Sequence, residues 1–86
     1  MRDDVKKILG ICNDDFDDII DGYIASAKKD LEMVGVSVDE ADALISTAIK
    51  CYVCGMIDEE NHDRWFNSYA FQKDGLRHYE SYKLSV

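Results

Sequence analysis

Cys51 and Cys54 stand three residues apart in the run Cys51-Tyr52-Val53-Cys54, a spacing that serves thiol redox chemistry or metal binding. In a redox protein that motif opens a helix just after a strand, where the helix N-terminus lowers the thiol pKa. Here it lies deep inside a long apolar run of helical period, with no strand before it. A zinc site would draw on Cys51 and Cys54, on His62, and on His78 or Cys12. The spacing to His62 is not a standard one, and no second ligand pair accompanies the first. Cysteine is also among the most commonly buried residues. The pair therefore reads as packing, with a zinc-stabilised module as the less favoured alternative, and neither metal nor cofactor is expected.

The run Asn13-Asp14-Asp15-Phe16-Asp17-Asp18 has the carboxylate density of a calcium loop. Phe16 interrupts the alternation, and no glycine holds the turn position that an EF-hand requires. These acids suit a solvated helix start. His62 and His78 are distant in sequence, and no serine or cysteine has a nucleophile-elbow context. There is no glycine-rich phosphate loop. With no catalytic constellation in view, the chain is expected not to be an enzyme.

Composition narrows the classes further. Eighty-six residues make one domain, 1–86, and a second core would not fit. The net charge is −8, with no proline. Residues 1–42 hold twelve acidic and five basic side chains, a net of −7; residues 43–86 hold six and five, a net of −1. Such a chain repels phosphate, so neither sequence-specific nucleic-acid binding nor an anionic membrane surface is expected. The apolar run from Val38 to Ile57 is interrupted by Asp39, Glu40, Asp42 and Lys50, so it is not a membrane span. Met1-Arg2-Asp3-Asp4 has no apolar stretch behind it, and no leader is expected. Three cysteines without a framework spacing suit a reducing compartment.

The elements that must position these residues are helices. Asp3 to Leu9 reads as a short first helix, capped by Asp3 or Asp4 and ended by Gly10. A second runs from a cap at Asn13 or Asp14 to about Val34, with Gly35 as its C-cap glycine. Its apolar residues Phe16, Ile19, Ile20, Tyr23, Ile24, Ala27, Leu31 and Val34 recur at steps of three and four. Val36-Ser37-Val38 is too short an extended stretch to found a sheet. The central helix spans Val38 to Ile57, with Asp39 and Glu40 in its first turn, where carboxylates suit the helix dipole. The last helix runs from about His62 to Glu80, capped by Asn61 or Asp63, with Gly75 as its weak point. The expectation is a small all-α bundle of about four helices, a short one and three longer ones. Its core is drawn from Phe16, Ile20, Ile24, Ala27, Leu31, Leu44, Ile45, Ala48, Ile49, Tyr52, Met56, Trp65, Tyr69 and Leu76.

Two further stripes are more apolar than a solvated face requires. At 100° per residue the core face of the central helix centres on Ile45 and Met56, which leaves Ala43, Thr47, Cys54 and Ile57 on the opposite side. On the last helix Phe71, Gly75, His78 and Tyr82 lie away from Trp65, Tyr69 and Leu76. Surplus apolar and aromatic surface marks interaction sites. Ala43, Thr47, Cys54, Ile57, Phe71, His78 and Tyr82 are thus the candidate interface, for copies of the chain or for one partner helix.

The order of segments, DDVKKILGI, then DDFDDIIDGYIASAKKDLEMVG, then the central helix, then DRWFNSYAFQKDGLRHYESY, resembles the small gp6-like head–tail connector proteins of tailed bacteriophages. The matching residues are Asp15, Ile19, Ile20, Ile24, Ala27 and Leu31, then Ala41, Ala48 and Ile49, then Arg64, Phe66, Tyr69 and Tyr79. CYVCGM departs from the more aliphatic end usual for the central helix. The resemblance covers nearly the whole chain. It implies a helical, non-enzymatic structural protein of head completion, a portal adaptor in virion assembly. Its copies would form a homo-oligomeric, dodecameric ring that docks on the portal protein, extends the DNA channel and offers a tail or stopper protein its seat. Its implied location is the virion, and the host cytoplasm during assembly. The alternative expectation is a small cytosolic helical protein–protein interaction module.

Overall fold

Four helices in the expected order make up the computed structural model, which describes residues 1–79, 82 and 83. They are α1 (Arg2–Leu9), α2 (Asp17–Met33), α3 (Ala43–Ile57) and α4 (His62–His78). Among the described residues there is no strand, and Val36 and Lys83 form one isolated antiparallel bridge. The chain is a small all-α bundle.

Helix ends follow local chemistry, with several departures from the expected boundaries. α1 starts at Arg2, so Asp3 and Asp4 lie in its first turn and do not cap it. Gly10 ends it in the left-handed conformation, φ 70°, which a side chain would strain. α2 starts later than expected. Asn13 Oδ1 accepts the Asp15 amide in a turn of its own, and the chain enters helix only after Phe16. The central helix is five residues shorter at its start than expected. Asp39 accepts the Ala41 amide in a turn before α3, and Asp42 is the cap, taking the amides of Leu44 at 2.9 Å and Ile45 at 3.4 Å. Asp39 and Glu40 therefore precede the helix. α4 runs unbroken through Gly75 to His78, and its expected end at Glu80 lies outside the described residues.

α3 is the middle of the molecule. α1, α2 and α4 all pack against it, and α1 also touches α2. Val5, Ile20, Ala27, Leu31, Val36, Ile45, Ala48, Ile49, Val53 and Cys54 are fully buried, with Ile24, Cys51, Tyr69 and Leu76 nearly so. A helix walled by three partners has little free circumference, and this takes Cys54 out of the expected back face while Ala43 and Thr47 stay exposed. Cys54 lies at 0% exposure inside the subunit, beside buried Cys51 and Val53. Three expected core residues are instead exposed. Phe16 precedes α2 and is 45% exposed, Leu44 sits 53% exposed in the first turn of α3, and Met56 is 40% exposed near its end. Tyr52 and Trp65 are half-buried.

α3 and α4 approach most closely at Gly55. A Cβ there would meet the Phe66 ring at 2.6 Å, so the absent side chain is what lets the ring lie on the helix. Phe66 in turn packs edge-on to Tyr52, with 5.5 Å between ring centroids.

Candidate interaction surface

Cys51 and Cys54 are buried free thiols on α3, and Cys12 is exposed in the α1–α2 connection. Burial pushes the Cys54 thiol up to about 11, with Cys51 adding to it. That is the reverse of an activated redox thiol. Cys51 Sγ instead receives the Gln72 amide at 3.3 Å, within a small polar contact that includes Ser68. His62 turns its Nδ1 to the Gly55 carbonyl at 2.8 Å, which makes that nitrogen the donor. Among the described residues no group of three or more His, Cys, Asp or Glu side chains is placed to hold a metal. Among them, too, no helix is long and apolar enough to cross a membrane.

Exposed apolar side chains gather at the two ends of α3. At its start, Leu44 joins Phe71, Gln72, Asp74, Gly75, Leu76 and Tyr79 around a groove of about 330 Å³. Phe71 is 84% exposed on its rim, and Tyr79 is 60% exposed where the chain leaves α4. At the far end of α3, Ile57 lines a hollow of about 420 Å³ with Ile8, Leu9, Ile11, Asp58, Glu60 and Asn61. Leu44 and Ile57 are thirteen residues apart on one helix, which separates the two recesses by about 20 Å along its axis.

The expected interface residues divide between these places. Phe71 and Gly75 line the groove, and Ile57 lines the hollow. Ala43 and Thr47 are exposed in the first turns of α3 but line neither recess; the Thr47 hydroxyl donates back to the Ala43 carbonyl at 2.8 Å. His78 is exposed beside Asp74, 3.6 Å away. Tyr82 is drawn off the stripe altogether. Its hydroxyl donates to Asp42 at 3.2 Å, and its ring is half-buried. Cys54 takes no part in either surface.

The helical wheel missed Leu44, Tyr79, Ile8 and Ile11 as surface residues. Leu44 and Ile8 sit in the end turns of their helices, each about half exposed. The termination signals were present in the sequence; their effect on exposure is set by where the neighbouring helices stop.

Several charges among the described residues are paired. Lys6 meets Asp17 at 2.9 Å and Asp14 at 3.1 Å, which ties α1 to the start of α2. The Trp65 indole and the Asn61 amide both donate to Asp58, at 3.0 and 3.1 Å, and hold its carboxyl below the ordinary range. Glu60 lines the hollow, and Glu59 and Asp63 continue the acidic turn beyond it.

A small all-α protein with two separate surface recesses, one apolar and one mixed, is the class these features define. No protein-family model matches the chain, and comparisons with curated proteins and with solved structures find no match.

Proposed function

We propose that this chain is a structural, non-enzymatic subunit of a tailed-phage head–tail connector ring. The observation that carries the reading is the pair of unlike recesses at opposite ends of α3, an apolar one around Leu44 and Phe71 and a mixed one where Ile8 and Ile57 meet Asp58, Glu60 and Asn61. A closed ring of one kind of subunit needs two different surfaces on each copy. Recesses about 20 Å apart on one rigid helix meet that need. The resemblance of the helical segments to connector proteins supports the same reading. A net charge of −8 suits a channel through which DNA slides without being gripped. The partners would be copies of the chain, the portal protein, and a tail or stopper protein, with the virion as destination.

Size-exclusion chromatography with light scattering, alone and with the cognate portal, tests the proposal. Ring-sized assembly, or co-elution with the portal, is the expected result; a strict monomer that joins neither portal nor virion sinks it. Phe71→Ser and Ile8→Ser should each block assembly. Mixed together, they should give pairs that stop at two, since each variant retains one intact surface. The Phe71 groove also favours a second reading, an interaction module that seats one partner helix. That reading gives a one-to-one complex and no ring.

A further inference from the structure

We propose that Tyr82 and Lys83 form a latch that sets the shape of the Phe71 groove. Contacts among the described residues mark it. The Ser37 amide donates to the Tyr82 carbonyl at 2.6 Å, Val36 pairs with Lys83, and the Tyr82 hydroxyl donates to Asp42 Oδ1. That same oxygen caps α3 by accepting from Leu44 and Ile45. One carboxylate oxygen thus serves both the start of α3 and the latch.

The groove walls are built from the latch's neighbours. Leu44 lies two residues beyond Asp42, in the turn that Asp42 caps. Tyr79 lies three residues before Tyr82, whose amide donates to the Tyr79 carbonyl at 3.1 Å, and the two rings stand 6.4 Å apart. Displacing Tyr79 from the groove wall therefore moves Tyr82, and releasing Tyr82 frees Tyr79. By linkage, whatever fills the groove must favour the open latch to the same degree that an open latch favours filling. Tyr82 is half-buried and Lys83 exposed, whereas the helices beneath them are tightly packed, so the latch opens without them. Beneath it Val36 is fully buried. The proposal rests on the connector reading only for the identity of what fills the groove.

Amide hydrogen exchange on the full chain tests the latch without any partner. The Ser37 amide should exchange much faster than those of Ile49 and Val53 in α3. Tyr82→Phe keeps the ring and removes the hydroxyl, and should speed Ser37 exchange about fivefold, the effect of losing one ordinary hydrogen bond. The α3 amides should keep their rates. Gly75→Leu places a side chain in the groove, and should speed Ser37 severalfold relative to Gly75→Ala, which leaves the groove open. Ser37 exchange at the α3 rate would overturn the latch, because it would mean opening only by global unfolding. Indifference of Ser37 to Tyr82→Phe, or to Gly75→Leu against Gly75→Ala, would do the same. These rates are independent of whether the chain joins a portal, so the latch and the connector reading fail separately.

Discussion

The Tyr69 hydroxyl on α4 donates to Asp30 on α2 at 2.5 Å, and Lys73 reaches the same carboxylate oxygen at 2.9 Å. α2 and α4 both rest on α3, and this contact ties the two outer helices to each other. Burial opposes ionisation of Asp30, but the hydrogen bonds from Tyr69 and Lys73 outweigh it and hold the carboxyl below its ordinary value. Burial, aided by Asp30, raises the Tyr69 hydroxyl.

Tyr69→Phe removes the buried donor and leaves Asp30 with Lys73 alone. It should cost about 1–2 kcal/mol in urea unfolding. The double variant with Asp30→Ala should lose less than the sum of the two single changes, since both break one interaction. Additive losses would show that the two side chains do not interact in solution.

Acid should weaken the fold. The carboxyls of Asp30, Asp17 and Asp58 are all held below their ordinary value, Asp17 chiefly by Lys6 and Asp58 chiefly by Trp65. A lowered folded pKa gives stability that is present above the unfolded value, near 3.9, and lost as pH falls through the folded one. Melting temperature should therefore be flat above about pH 5 and fall progressively below about pH 4. Asp30→Asn should lower the plateau and make the fall shallower. An unchanged slope would remove Asp30 from the effect.

Two glycines on neighbouring helices should respond in opposite directions. Gly55→Ala drives a methyl against the Phe66 ring and stands 3.2 Å from Trp65 Cβ. Overpacking of this kind costs about 1–3 kcal/mol. Gly75→Ala meets nothing within 4 Å, and should stabilise by up to about 1 kcal/mol through helix propensity. Thermal melts of the pair decide the matter; equal shifts would contradict the close packing at Gly55.

The thiols report burial directly. In the native protein one thiol, Cys12, should react promptly with an aromatic disulfide reagent, and all three should react in urea. Cys54→Ser puts a hydroxyl at a fully buried site and should cost about 1–3 kcal/mol. Ile45→Ala or Ile49→Ala should cost roughly 2–5 kcal/mol, enough to unfold a domain this small.

Helix number, order and type were legible in the chain, because apolar spacing and glycine stops act locally. Gly10 and Gly35 both take positive φ where a helix ends, as their positions implied. The start of α3 was less legible. Asp39, Asp42 and Glu40 all suit a helix N-terminus, and which one caps depends on where the chain turns. The exposed surface was legible only in part. Phe71 and Ile57 were found because they lie off the core stripe. Cys54 was misplaced because a wheel assumes one buried side, whereas α3 is enclosed by three helices. Val36 was missed because it lies outside every helix, in a stretch whose bridge partner, Lys83, stands forty-seven positions later in the chain.

The enclosure of α3 has a consequence for the unfolded protein. From Cys51 to Ile57 seven consecutive residues carry no charge, between Lys50 and Asp58. Folded, most of that stretch is hidden by the neighbouring helices. Exposed, an uncharged window of this length without proline and rich in Tyr, Val, Cys and Ile has the composition that associates into intermolecular β-structure. Lys50 and Asp58 then act as gatekeepers at its two ends, and replacing either with an uncharged residue is expected to raise losses to inclusion bodies even where the folded state is unharmed.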